Sequence, residues 1–521
     1  MNRFDLAVTL HQQGELARAI AIYSSLHDDS PYDVSVLHCL GIALLQTGDF
    51  RQAIDCLALA AELASSEPEI WASLGAAHIQ AGGFECACVV LEKVGELGAH
   101  TPASLNNLGN AQSALGLLNE ALASYLSAIK LDTSVSEVHC NLGLLYQRLD
   151  RSTDALAEID IALGYQPGNI HALTARAEVL RDLLRPDEAL MSLNASLALS
   201  PLDPDAHWNR ALCLLQMGRL AEGWAEYEWR WSISSGGHKA RHRNLPLWLG
   251  DYDIRGQTLL VHAEQGFGDT VQFCRYVSSL AEHGISVILQ TQDTLVRLLS
   301  NLPGLKAVAA LSDTPIQADA QCPLMSLPHA CRGWANKVSH SQPYIFSDKS
   351  SADVWRTKLG VQTRPRIGLV WSGSSKHVND HRRSMPLSWL MPLMDADCDF
   401  HAIQTMISAQ DRPLMDSSGI SDWSVYLKDF ADTSSLVEEM DLVISVDTSV
   451  AHLAAAMGKP VWIMLPFNPD WRWQLGRTDT PWYPTMRLFR QSSPGDWAGV
   501  CNHVQACLAD MLSSYSQPKN C

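Results

Sequence analysis

Several short segments of this chain carry residue types that could run a reaction. In Glu264-Gln-Gly-Phe-Gly-Asp-Thr270 an apolar run ends, two glycines follow, and an acid stands at Asp269. Gly266 and Gly268 would let backbone approach a ligand closely, and the N–H groups at the start of the next helix would favour negative charge. Val271 takes the place of the third glycine of a dinucleotide fingerprint, so the segment is a poor dinucleotide site. Asp269 is a candidate general base at the mouth of a cleft. The competing reading is an Asp that caps its own helix, and the motif taken alone favours the cap.

A second segment is Asp447-Thr448-Ser449-Val-Ala-His452, at the end of an apolar strand and the start of a helix. Thr448 or Ser449 caps that helix, and its free N–H groups form a ready diphosphate site. The alternative is an ordinary strand-to-helix turn with a packed His. A third segment follows RIGLVW and holds Lys376, Arg382 and Arg383, the main basic cluster of its region. Such cations would neutralise phosphate charge, unless the loop is merely solvated. The aromatic stretch with Trp471, Trp473, Trp482 and Tyr483 could stack on a base or sugar, but large aromatics at this density read first as core. No H-E-x-x-H, Walker A or G-x-S-x-G is present. The acids Asp395, Asp397 and Asp399 lie in a helix-to-strand connection and carry little weight as a metal site, so none is expected.

These segments need elements to hold them. After residue 250 short apolar strands alternate with helical stretches: TLLVHAEQ, ISVILQ, RIGLVW, FHAIQ, DLVISVD and PVWIML. That alternation predicts parallel sheets with crossover helices and ligands at the strands' carboxyl ends. A polar stretch around 349–365 divides two Rossmann-like halves, 250–348 and 360–512. A Gly-, Ser- and base-rich linker, 233–249, precedes them.

Residues 3–232 repeat. Gly14, Gly48, Gly82, Gly116, Asp150, Leu184 and Gly218 follow one another at 34 residues, and Ala7, Gly41, Gly75, Gly109, Gly143, Ala177 and Ala211 keep the same period. Seven units in register predict pairs of amphipathic helices, with small residues where the helices cross and a left-handed turn between them. One pair cannot bury its apolar face alone, so the pairs must stack. Asn107, Asn141 and Asn209 occupy one column, interrupted by Ala175. An amide can donate to and accept from a peptide group, so the column either reads extended chain or packs within its own repeats.

Composition narrows the classes. Of 521 residues, 38 are Lys or Arg and 56 are Asp or Glu, a net charge of -18. That argues against nucleic acid and against an anionic membrane face as partners. Residues 1–235 hold 13 basic and 29 acidic residues, and the remainder is nearly neutral. The 13 cysteines include no C-x-x-C and read as reduced thiols. The first residues lack a signal-peptide apolar core, and no run reaches the ~18–20 apolar residues of a membrane span. A cytoplasmic protein is expected.

The period and the L-G, G and A columns resemble the tetratricopeptide repeat. EQGFGD, RIGLVWSGSSKH, VDTSVAHLAAAMGKPVW, DWRW and PWYPTMRLFRQ resemble bacterial proteins that fuse such repeats to a heptosyltransferase-like glycosyltransferase of the GT-B fold. The resemblance implies an α plus α/β chain: an N-terminal all-α repeat superhelix followed by a GT-B pair of Rossmann-like domains. It also implies a metal-independent, inverting transfer from a nucleotide-sugar, which is a substrate, so no cofactor is expected. Asp269 matches the proposed base of that family. Asp447, Thr448 and His452 match its donor loop, with Ser449 where the family has Gly. Lys376, Arg382 and Arg383 match its basic loop only approximately. The Asn column matches the asparagine ladder that holds substrate backbone in the O-GlcNAc transferase superhelix. Some relatives are implicated in glycosylating flagellin, which makes a protein Ser/Thr hydroxyl, recognised by the repeats, the expected acceptor. The alternatives are a saccharide or lipid acceptor with the repeats as docking scaffold, and a non-catalytic adaptor.

Overall fold

The computed structural model describes residues 2–233, 241–312, 316–333, 343–375 and 379–515. The chain divides into two compact units, residues 1–201 and 202–521.

The first unit is six antiparallel helix pairs, from Arg3–Gln12 with Leu16–Asp29 to Ile170–Asp182 with Pro186–Leu199. Asp33, Asp49, Thr101 and Asn169 cap helix starts with their side chains. All seven positions of the turn column take positive φ, five as glycine and two as Asp150 (57°) and Leu184 (56°). The repeat geometry therefore overrides the cost of a side chain in the left-handed region. The small-residue column marks close crossings. A Cβ on Gly41, Gly75, Gly109 or Gly143 would lie 2.5–2.6 Å from a side-chain atom of Leu57, Leu91, Tyr125 or Ile159. At Gly143 it would also lie 3.0 Å from the Ala155 carbonyl oxygen, which is backbone and cannot rotate away. Gly143→Ala should therefore destabilise the unit by about 1–2 kcal/mol, although Ala is the better helix former by about 1 kcal/mol. The urea midpoint of unfolding measures it.

Neighbouring first helices are stitched by side chains 35 residues apart. His11 Nε2 lies 3.0 Å from Gln46 Oε1, and His38 Nε2 lies 2.9 Å from Ser73 Oγ. Asn141 Nδ2 donates to Asn106 Oδ1 (2.9 Å), and Gln147 Nε2 donates to Asp182 Oδ2 (2.9 Å).

The second unit opens with the seventh pair, Pro204–Gln216 and Leu220–Tyr227, and a 3-10 turn, Glu228–Trp231. Two parallel sheets follow. The first contains β1 (Thr258–His262), β2 (Ser286–Thr291), β3 (Leu305–Ala310) and β4 (Ala320–Pro323), in the order β3-β2-β1-β4. The second contains β5 (Arg366–Val370), β6 (Asp399–Ala402), β7 (Ser421–Asp422), β8 (Leu442–Val446), β9 (Val461–Leu465) and β10 (Met486–Arg490), in the order β10-β9-β8-β5-β6-β7. β5 and β8 are buried along their whole length and apolar except for Arg366 and Ser445, as parallel strands covered on both faces should be. Within the stretch read as a linker, residues 246–248 run beside β4: Trp248 N–H donates to Gln321 O (2.9 Å), and Gln321 N–H donates to Pro246 O (2.8 Å). Among the described residues no helix is long and apolar enough to cross a membrane.

Candidate functional site

β1 delivers the first acid. Beyond His262 the chain passes Glu264 and Gln265, turns at Gly266 and enters the helix Phe267–Phe273. Gly266 N–H donates to Asp269 Oδ2 at 2.8 Å, so Asp269 does cap its own helix. Its other oxygen, Oδ1, accepts from the Arg472 guanidinium. Burial pushes the Asp269 carboxyl above its ordinary range, and Arg472 beside it opposes the shift. An acid in that balance is a plain candidate for taking and returning a proton.

β8 delivers the second acid. Asp447 lies at the carboxyl end of that strand, before the helix Ser449–Ala456. Trp473 Nε1–H donates to Asp447 Oδ2 (2.8 Å), and Arg383 Nη1 donates to the Asp447 carbonyl oxygen (3.0 Å). Burial, reinforced by the nearby Asp470, pushes the Asp447 carboxyl up to about 6. Thr448 sits at the N-cap in extended backbone but makes no side-chain cap bond; its hydroxyl pairs with Ser445 Oγ at 3.1 Å. The expected side-chain cap is therefore absent, and the Ala451 N–H instead bonds the Thr448 carbonyl oxygen (3.1 Å).

His452 is buried, with Nδ1 3.0 Å from Tyr483 Oη and its ring stacked on Trp473 (centroids 5.3 Å). Burial and the nearby arginines hold it well below the usual imidazole range, so it is neutral. Gly268 meets it directly: a Cβ there would lie 3.0 Å from His452 Cδ2 and 3.7 Å from Ser449 Cα. In this structure Gly268 therefore serves the close approach of the two helix starts to each other.

The basic loop returns to the same place. Arg383 pairs with Asp380 (3.2 Å) and reaches Asp447 across Gly373, where a Cβ would lie 2.6 Å from the guanidinium. Arg382 precedes it in the short helix Asp380–Arg383. Lys376 lies outside the described residues.

Arg472, which the sequence did not single out, and Trp473, which it offered first as core, complete the site. The turn Trp471–Trp473 bridges the two acids, Arg472 holding Asp269 and Trp473 holding Asp447. Arg472 also donates from Nε to Gln272 Oε1 (2.8 Å) and from Nη1 to Asp470 Oδ1 (2.7 Å). Trp473 is fully buried, so it packs as core and also holds a carboxylate. The DWRW spelling was the available signal. The acids Asp397 and Asp399 instead pair with Arg364, at the amino end of β6.

The asparagine column is heterogeneous. Asn107 is half-buried on the helix Pro102–Ala114. Asn141 is committed to Asn106, which in turn donates to Glu137 Oε1 (3.0 Å). Asn209 is buried, with its amide donating to Asp205 O of its own helix (3.1 Å).

Asp447 also makes a prediction about stability. An acid with a raised folded pKa stabilises the fold below its unfolded value of 3.8, and that contribution is lost as pH rises through about 6. Across that window wild type should lose on the order of 2–3 kcal/mol relative to Asp447→Asn. Urea unfolding of the two proteins between pH 4.5 and 7.5 measures the difference.

Tetratricopeptide-repeat profiles match residues 10–77, 109–150, 140–204 and 174–228. The profile of glycosyltransferase family 9 (heptosyltransferase) matches residues 428–464, which contain Asp447, Thr448, Ser449 and His452. Protein FlbA of Caulobacter vibrioides is 24% identical over 436 residues, covering 77% of this chain and 70% of FlbA. Among solved structures, the APC/C hetero-tetramer Cut9-Hcn1 aligns with TM-score 0.38 and 21% identity, over 41% of this chain and 42% of that one. YrrB, a TPR protein with an unusual peptide-binding site, aligns with TM-score 0.29 and 17% identity, over 35% of this chain and 95% of its own. The chain resembles proteins that join tetratricopeptide repeats to a heptosyltransferase-like glycosyltransferase.

Proposed function

We propose that this chain transfers a sugar from a nucleotide-sugar to a Ser or Thr hydroxyl of a protein that its repeats recognise. The observation that carries the reading is the convergence of Asp269, from the turn after β1, and Asp447, at the end of β8 and just before the helix Ser449–Ala456, on the turn Trp471–Trp473. On this reading residues 250–348 form the acceptor side and 360–512 the donor side of a GT-B pair.

Asp269 takes the proton of the acceptor hydroxyl as that oxygen attacks the anomeric carbon. The bond from that carbon to the diphosphate breaks on the opposite face, the configuration inverts, and the nucleoside diphosphate leaves with the electron pair. The helix start at Thr448–Ser449 and the cations Arg382, Arg383 and Lys376 stabilise the growing charge. Asp447 and His452 shape the donor pocket. Asp269 returns its proton to solvent. Along the repeats, Asn107 and Asn141 offer amides to an extended acceptor chain, Asn141 by exchanging its bond to Asn106.

The test is a panel of nucleotide-sugars incubated with the purified chain and either acceptor proteins, flagellin among them, or oligosaccharides. Protein-dependent nucleoside diphosphate release is the expected result. Release that depends on an oligosaccharide would replace the reading with a saccharide acceptor, which the heptosyltransferase match favours as the second reading.

A further inference from the structure

We infer that the seventh repeat is the element that positions the Asp269 loop, with Tyr227 and Arg230 as its positioning residues. The functional weight of this rests on the reading of Asp269 as the base; the structural part does not.

The repeat register exposes the anomaly. Ala60, Val94, Ala128, Ala162 and Ser196 stand at one position of successive repeats, all buried. The next residue of that column is Arg230, also fully buried. A guanidinium keeps its charge under all ordinary conditions, so placing one where other repeats bury a small uncharged side chain is costly unless partners surround it.

They do surround it: Glu228 comes from its own turn, and Glu264 and Ser326 from the sheet-bearing half. Glu264 takes Arg230 in a two-point pair (2.9 and 3.0 Å), Ser326 Oγ accepts at 2.7 Å, and Glu228 at 3.0 Å. Glu264 also accepts the Met325 N–H (3.0 Å). One residue on, Gln265 Nε2 donates to Tyr227 Oη (2.8 Å), and Gln265 O accepts from Gln292 Nε2 (2.8 Å). The next residue is Gly266, whose N–H holds Asp269 Oδ2. The loop is therefore pinned at 264 and 265, immediately before the amide that orients the acid.

The same repeat backs the other partner of Asp269. Trp224 meets Phe273, at the end of the Asp269 helix, edge-to-face at 5.5 Å. It meets Trp471, next to Arg472, at 5.2 Å. Both groups that hold the carboxylate, Gly266 N–H and Arg472, thus lean on one helix pair. Small misplacements of a reacting group cost rate far more than they cost stability.

Tyr227→Phe removes one hydroxyl and keeps the ring. Its expected effect is at least about fivefold faster hydrogen exchange in the peptide 264–270, with a melting temperature close to wild type. The kcat for transfer should fall about tenfold while donor KM stays within about twofold. Arg230→Lys, which keeps the charge but loses the two-point pair, should move the same two readouts further. Unchanged exchange in both variants would overturn the inference, and so would raised exchange with unchanged kcat. Raised exchange in a chain whose wild type transfers no sugar would leave the loop anchoring standing and remove the proposed function instead.

Discussion

Asp269→Asn should lower sugar transfer by about 10²–10⁴-fold, the range a positioned general base supplies. Donor affinity should stay near wild type, because the groups proposed to hold the diphosphate come from the second sheet. The substitution keeps the shape of the side chain and can still accept the Gly266 N–H. It removes the charge facing Arg472, but Asp470 still pairs with that guanidinium at 2.7 Å, so the fold should survive. Nucleoside diphosphate release under single turnover, with donor affinity measured separately, reads both effects. Full activity in Asp269→Asn would move the base elsewhere. Asp447, pushed up to about 6, would be the next acid to test.

Arg230→Ala should cost the second unit about 3–5 kcal/mol, the usual result of removing one member of a buried ion pair. It would leave Glu264, whose side chain is only 5% exposed, without its cation. The control is Arg477→Ala. Its partner Asp479 is 71% exposed, and such a pair contributes little to stability. The buried Arg230 pair also limits where the chain can be cut. Removing residues 1–201 follows the division between the compact units and should leave a folded second unit that still binds donor. Removing residues 1–230 takes away Trp224, Tyr227 and Arg230 and should give insoluble or unfolded protein. Urea unfolding of the point variants and solubility of the two truncations check these outcomes.

The repeats were legible because their signal is geometric and repeated. A period of 34 residues places a left-handed turn even where the residue is Asp150 or Leu184, since five glycines define the column around them. The strands with long apolar runs were legible for a similar reason. β3 was not: Lys306 interrupts it and its residues are only partly buried. β4 contains Gln321 and Pro323, and β10 carries Arg487 and Arg490, so each lacks the pattern of a buried strand.

The candidate site was legible only as local segments. The turn after β1 and the turn after β8 each announce themselves through glycines, hydroxyls and an acid. What joins them does not. Arg472 and Asp269 are 203 residues apart, and the Trp471–Trp473 turn reads as aromatic core because Trp473 is aromatic core as well as a donor. Arg230 was hidden for the opposite reason. It lies inside a repeat, where attention goes to the register and not to the one position that breaks it. The asparagine column shows a further limit. Sequence places Asn107, Asn141 and Asn209 in one column but does not reveal that Asn141 is bonded to Asn106, one residue out of register.

The central claim is that this chain puts a sugar on a protein through Asp269. Intact mass of candidate acceptor proteins, flagellin foremost, tests it most directly. The cells compared should lack this gene and be complemented with wild type or with Asp269→Asn. The account predicts a sugar-sized mass increment with wild type that is absent in the knockout and in Asp269→Asn, with both chains present at equal level. An increment of the same size with Asp269→Asn would contradict the assigned base. Identical acceptor masses in all three strains would contradict protein glycosylation itself.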